Sequence, residues 1–98
     1  MNYNIQFYAL SVQVAIEKWP VGIYASFVRV TEQMVTSGPN LGMPYTKAMG
    51  GGLFEIRARG REGIGRAFYC CMKGNRVVIL HGFVKKTQAT PVKELRLA

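Results

Sequence analysis

The segment LFEIRARGREGIGRAFYCCMKGNRVVILHGFVK, residues 53–85, contains three apolar runs separated by two short polar turns. In the first run Phe54, Ile56 and Ala58 alternate with Glu55 and with arginines, which is the period of a strand with one apolar and one charged face. Because the turns are short, the runs predict consecutive strands of one small, mostly antiparallel sheet. The expected strands are residues 53–59, 64–72 and 76–84, with turns at 60–63 and 73–75.

Two helices are expected before this segment. In the longer of the two, the apolar residues Ile23, Phe27, Val30 and Met34 follow one another at steps of 4, 3 and 4 residues, so they form the apolar stripe of an amphipathic helix.

A third helix is expected at the C-terminus, over residues 92–98. It would have barely two turns, so we expect it to be truncated or frayed. The other expected elements are a strand at 4–10, a helix at 12–18 capped by Ser11, the helix from Pro20 to Ser37, and a loop at 39–52.

Length and charge limit the classes of protein to consider. The chain has 98 residues, which predicts a single domain over residues 1–98, and 49% of them are hydrophobic, as in a globular protein. Lys and Arg number 13 against 5 Asp and Glu, a net charge of +8. That excess predicts an anionic partner, which can be nucleic acid, an anionic membrane or an acidic protein.

The sequence predicts a cytoplasmic protein. It has no apolar stretch near the ~18 residues of a membrane span, and residues 1–4 lack the positive charge of a secretory signal. A disulfide between the adjacent Cys70 and Cys71 would be strained, so we expect two reduced, buried thiols. With one histidine and no CxxC pair, a metal site is not expected, and no cofactor is implied.

Cationic side chains are the candidate functional groups. If the anionic partner is RNA and the protein cleaves it, the reaction has three needs: removing the 2′-hydroxyl proton, stabilising the charge of the phosphorane, and protonating the leaving 5′-oxygen. Arginine suits the second task because its planar fork grips phosphate oxygens and stays charged, and lysine can share it. The chain offers Lys47, Arg57, Arg59, Arg66, Lys85 and Lys86, with Glu55 among them.

Arg66 is the strongest single candidate. It lies within an otherwise apolar strand, where a charge is costly unless it has a purpose or a partner. A structural salt bridge to Glu55 or Glu94 is the alternative, and the functional interpretation is favoured over it. Arg57 or Arg59 can likewise pair with Glu55 instead of meeting a ligand.

Two tyrosines, Tyr45 and Tyr69, are candidates for stacking on a nucleobase, although strand tyrosines more often lie in the core. His81 is the only histidine, and its neighbour Leu80 belongs to an apolar run. We therefore expect His81 to be packed and hydrogen-bonded rather than catalytic.

The order of these residues resembles the phage-derived HigB-like branch of the RelE/HigB superfamily, the toxins of type II toxin–antitoxin pairs. The resemblance runs from about the second helix to the end of the chain. The matching residues are GPNLGMP at 38–44, Lys47, GLFEIR at 52–57, Arg66 and LHGFVKKT at 80–87, with Pro91 and Glu94.

The resemblance implies an α+β fold of order β-α-α-β-β-β-α, in which two helices pack on a small, mostly antiparallel sheet whose other face is concave and basic. It implies a metal-independent endoribonuclease that cuts mRNA on the ribosome. Arg66 would contact the scissile phosphate, and Lys86 or Lys85 would complete the catalytic group, although two lysines at a strand end are by default only solvated. The expected RNA-binding residues are Lys47, Arg57, Arg59 and Tyr69.

The resemblance also implies partners. The first is a cognate antitoxin, often a helix-turn-helix DNA-binding protein, and the toxin would meet operator DNA only through it. The other partners are the ribosome and mRNA. No membrane is expected. No tyrosine or histidine follows Lys86 to act as acid or base. That absence favours a ParE-like gyrase inhibitor on the same fold as the alternative, and a plain basic nucleic-acid-binding module is a second one.

Overall fold

A computed structural model describes residues 2–85, which form two helices and a five-stranded sheet. The elements are β1 (Asn4–Phe7), α1 (Leu10–Glu17), α2 (Val21–Ser37), β2 (Thr46–Gly50), β3 (Leu53–Gly60), β4 (Gly63–Met72) and β5 (Arg76–Lys85). The sheet order is β1-β5-β4-β3-β2, with β1 parallel to β5 and all other neighbours antiparallel. This α+β architecture confirms the expected fold class, and the expected C-terminal helix lies outside the described residues.

The first helix begins earlier than the sequence predicts. The first strand ends at Phe7, and the helix starts at Leu10. The carbonyl of Ala9 accepts a hydrogen bond from the amide of Val12 at 3.1 Å, so the first helical turn forms around Ser11. Ser11 is therefore inside the helix and does not cap it.

The sheet contains one strand more than expected. The predicted loop at 39–52 includes β2, which pairs antiparallel with β3 and forms an edge of the sheet. The hairpin turns at Gly50, Gly51 and Gly52 with φ angles of 94°, 62° and 83°, a region that other residues rarely adopt. Of the β2 residues only Thr46 is buried, so the strand lacks the apolar alternation that reveals strands in a sequence.

The core lies between the helices and one face of the sheet. The predicted stripe of α2 is confirmed, because Ile23, Phe27, Val30 and Met34 are all buried. Together with Ile16 of α1 and Trp19 of the turn between the helices, they pack on residues of the sheet, namely Ile56, Ala58, Ala67, Tyr69, Val77 and Ile79. Burial of these apolar surfaces holds the helices on one face, and the intervening strand residues point to the other face.

The helices approach the sheet closely at several glycines, among them Gly65 of β4 and Gly82 of β5. A Cβ atom at Gly65 would lie 2.5 Å from Cζ3 of Trp19 and 2.6 Å from Cγ2 of Ile23. A Cβ atom at Gly82 would lie 2.8 Å from Cδ1 of Ile16. Because these distances are too short for real contacts, glycine at both positions is what lets the helices lie flat on β4 and β5.

Two features bear on the expectations for membranes and thiols. No helix within residues 2–85 is both long and apolar enough to cross a membrane. Cys70 and Cys71 are both free thiols, but Cys70 is only partly buried and Cys71 is exposed, so the expectation of two buried thiols is wrong. The reason is that the continuous burial of β4 ends at Tyr69, before the last residues of the strand.

Candidate functional site

The face of the sheet opposite the helices carries the candidate cations. Alternation along β3 puts Glu55, Arg57 and Arg59 on this face, because Ile56 and Ala58 belong to the core on the other. The register between strands then places residues of neighbouring strands side by side, in rows that run across this face. From β2 to β5, one row contains Lys47, Glu55, Phe68 and His81, and the next contains Arg57, Arg66 and Phe83.

An aromatic cluster on β4 and β5 lies beside the charged residues. The ring centroids of Phe68 and Phe83 are 5.9 Å apart, and the His81 ring lies 6.0 Å from Phe83. Phe68 is fully buried although it lies on the face away from the helical core. The histidine is therefore packed against an aromatic ring, in agreement with the structural interpretation of its sequence context.

One carboxylate joins both arginines. Oε1 of Glu55 accepts a hydrogen bond from Nε of Arg57 at 3.0 Å, and Oε2 accepts one from Nη1 of Arg66 at 3.3 Å. The exposed fractions of the side chains are 0% for Glu55, 15% for Arg57 and 9% for Arg66. Because so little water screens these charges, the ion pairs fix the positions of both guanidinium groups more firmly than surface pairs would.

The sequence allowed two interpretations of Arg66, a functional contact and a structural salt bridge, and these ion pairs do not exclude either. The salt bridge from Arg66 to Glu55 that the sequence allowed is present, so Arg66 does have a structural partner. Glu55 is shared with Arg57, however, so within residues 2–85 two guanidinium groups contact one carboxylate. Fixed guanidinium groups at one place on the sheet suit an anionic ligand.

The remaining predicted cations lie around this cluster. Lys47 is exposed on the edge strand β2, directly opposite the buried carboxylate. Arg59 is exposed near the end of β3, where it pairs with Ile64. Lys85 is the last residue of β5 and pairs with Ile64 from the other side, whereas Lys86 lies outside the described residues.

Tyr69 does not belong to this face. Its ring is fully buried in the core, stacks on Phe54 at 5.4 Å, and its hydroxyl donates a hydrogen bond to the carbonyl of Pro39. Burial raises the pKa of Tyr69 to about 12, although the Thr46 hydroxyl acts in the opposite direction. The predicted contact of Tyr69 with RNA is corrected accordingly, because strand alternation places residues 66 and 69 on opposite faces.

Sequence reasoning missed the residues that hold the β2 edge in place. Thr46 is fully buried, and its Oγ1 accepts a hydrogen bond from the amide of Gly42 at 2.8 Å and donates one to Oδ1 of Asn40 at 3.3 Å. These bonds tie the preceding loop to the first residue of β2. A lone threonine in a polar loop carries no pattern from which this role follows.

Comparisons with known proteins place the chain in a family. Residues 15–98 match the family model described as "Phage derived protein Gp49-like (DUF891)". The comparison with curated proteins gives no match. Among solved structures, the chain is similar to one in the crystal structure of the archaeal RelE–RelB complex from Pyrococcus horikoshii OT3, with 22% sequence identity and a TM-score of 0.64.

That structural match covers 91% of this chain and 100% of the archaeal one, so the two share the whole fold. The family model spans most of the sequence, including every described residue of the charged cluster. This chain therefore belongs to the phage-derived Gp49-like family and has the fold of a chain from the archaeal RelE–RelB complex, which confirms the family resemblance seen in the sequence.

Proposed function

We propose that this protein is the toxin of a type II toxin–antitoxin pair and that it cleaves mRNA on the ribosome. The observation that carries the proposal is the cross-strand pair of Arg57 and Arg66, held side by side by Glu55 and flanked by Lys47. Two guanidinium groups fixed side by side suit the oxygens of a bound phosphodiester. The structurally similar archaeal chain comes from a complex of RelE with RelB, which supports an antitoxin partner.

The reaction needs no metal ion. The 2′-hydroxyl oxygen attacks the adjacent phosphorus, forming a bond to it while the bond from phosphorus to the 5′-oxygen breaks. Negative charge accumulates on the phosphorane oxygens during this exchange, and Arg66, assisted by Arg57, stabilises that charge. Guanidinium groups that are already in position need no reorganisation when the charge develops, which is the condition for lowering the barrier.

Glu55 acts as a positioning residue rather than as the base. Its side chain is fully buried and both of its oxygens are engaged by arginines, so in this conformation it does not reach a substrate hydroxyl. We assign the proton transfers to Lys85 and Lys86, which the family resemblance associates with the cleft: one of them, as a neutral amine, accepts the 2′-hydroxyl proton, and the other, as an ammonium, donates a proton to the leaving 5′-oxygen. Lys47 and Arg59, both exposed, bind the flanking backbone of the RNA.

Charge and fold also support the proposed partners. A net charge of +8 suits the ribosome and mRNA as targets and an acidic segment of a helix-turn-helix antitoxin as the inhibitor. Because the ribosome would position the message, the protein itself needs only a small basic site. Such a toxin acts in the cytoplasm and meets operator DNA only through the antitoxin.

The test is induced expression in a bacterium, followed by mapping of RNA 5′ ends. New ends at codon-related positions, found only in translated messages, are the expected result. Intact RNA together with blocked DNA replication would replace the nuclease by a ParE-like gyrase inhibitor. RNA and replication that are both unaffected would leave a nucleic-acid-binding module.

A further inference from the structure

The structure separates the two tyrosines that the sequence offered for stacking on a base. Tyr69 is fully buried, whereas Tyr45 is 46% exposed. Tyr45 immediately precedes β2, and its carbonyl accepts a hydrogen bond from the amide of Arg57 at 2.8 Å. The β2–β3 ladder therefore extends to Tyr45, which stands opposite Arg57.

Alternation fixes the side of the sheet to which Tyr45 belongs. The next residue, Thr46, is fully buried and pairs with Ile56, a core residue on the helix-covered face. Tyr45 consequently lies on the other side, together with Arg57 and Lys47. Opposite residues of an antiparallel pair have Cβ atoms about 5 Å apart, so the side chains of Tyr45 and Arg57 start from adjacent positions on the sheet.

We propose that Tyr45 is the residue on which a base of the bound RNA stacks, an inference that rests on the proposed function. Sites for single-stranded nucleic acid combine cations along the backbone with exposed aromatic rings for the bases. Arg57 and Lys47 supply the first and Tyr45 the second, within one sheet edge. Because every base has a flat face, this contact strengthens binding without selecting a sequence.

The chain offers a matched control in Tyr8. It is 73% exposed and follows β1, so it lies at the opposite edge of the sheet from Tyr45. Substituting Tyr8 removes the same ring from a surface that the proposal leaves without RNA. Comparing Tyr8→Ala with Tyr45→Ala therefore shows whether a loss of RNA affinity depends on the position of the ring or follows from removing any exposed tyrosine.

The experiment measures binding of two fluorescent probes by anisotropy at low salt. One probe is a short 2′-O-methyl oligoribonucleotide, which cannot be cleaved, and the other has the same backbone with abasic sites throughout. Tyr45→Ala should weaken binding of the first probe by about tenfold and leave binding of the abasic probe unchanged. Tyr45→Phe, which keeps the ring, and Tyr8→Ala should bind both probes like the wild type.

Three results would overturn the proposal. They are an equal loss of affinity for both probes in Tyr45→Ala, no loss for either probe, and no measurable binding of the base-containing probe by the wild type. The fate of the nuclease proposal is read separately from the mapped RNA 5′ ends. A protein that cleaves nothing but shows the tyrosine-dependent difference refutes the nuclease and retains the stacking site.

Discussion

The carboxylate of Glu55 is the only counter-charge that the described residues provide by direct ion pairs to Arg57 and Arg66. Replacing it in Glu55→Gln should lower the free energy of unfolding by about 2–4 kcal/mol, because two largely buried cations lose their compensating charge. The exposed Glu32 on α2 provides the control, since Glu32→Gln should change stability by less than about 0.5 kcal/mol. Urea denaturation measures both, and equal, small effects would show that the cluster is not electrostatically coupled.

Arg66 has both a structural partner, Glu55, and a proposed role in the reaction. Arg66→Ala should abolish growth arrest, because the loss of a phosphate contact in the transition state costs about 100-fold or more in rate. Arg57 remains to pair with Glu55 in this variant, so the protein should still fold. Arg29→Ala, on the exposed side of α2, should remain toxic. A folded, fully toxic Arg66→Ala protein would remove Arg66 from the site.

Tyr69 predicts how stability changes at alkaline pH. Burial raises its pKa from 10.0 to about 12, so between these values the folded protein keeps a proton that the unfolded chain releases. The free energy of unfolding should therefore fall as pH rises from 10 to 12, by up to about 2.5 kcal/mol. Tyr69→Phe starts about 1 kcal/mol less stable, since it loses a hydrogen bond, but lacks this decline.

Urea unfolding of the wild type and Tyr69→Phe across pH 9–12 provides the check. The stability advantage of the wild type over Tyr69→Phe should shrink as pH rises and then reverse in sign, and other titrating groups cancel because both proteins contain them. Curves that stay parallel over this range would mean that the phenol ionises equally in the folded and unfolded states.

At the scale of elements, the contact between α2 and β4 depends on the absence of a side chain at Gly65. Gly65→Ala should destabilise the protein by about 1–3 kcal/mol, because its Cβ would overlap Trp19 and Ile23. Combining it with Trp19→Leu, which removes the ring that Gly65 faces, should give a smaller loss than the sum of the two single changes. Thermal unfolding of the three variants measures the coupling, and strict additivity would contradict the close contact.

The elements differ in how far they can be predicted from sequence. The second helix and the strands β3 to β5 have apolar residues at the helical or strand period, so their positions follow from the sequence. The strand β2 does not, because it is an exposed edge held by backbone pairing and by the Thr46 hydrogen bonds. The candidate site could be predicted only in part. Alternation along one strand places Arg57 on the same face as Glu55, and this can be read from the sequence. The positions of Arg66 and Tyr45 beside them depend on the register between strands, which the sequence does not show.

At the scale of the whole molecule, net charge dominates encounters with partners. With +8 on a chain of 98 residues, association with an acidic antitoxin segment should slow markedly as salt rises, because screening removes the long-range attraction. Stopped-flow association rates at low and high salt, with the dissociation rates measured alongside, give the dependence. A neutral antitoxin whose association is insensitive to salt would contradict this electrostatic steering.

The parallel pairing of β1 with β5 joins the two ends of the described chain, with Asn4 opposite Arg76. During synthesis β1 has no partner until β5 has been made. Until then Arg66 of β4 also lacks its cross-strand neighbour Phe83. Proteins with such distant pairings fold late and slowly compared with those built from local contacts. Under the proposed function, this late pairing would keep the nascent chain inactive until the ribosome that makes it has released it.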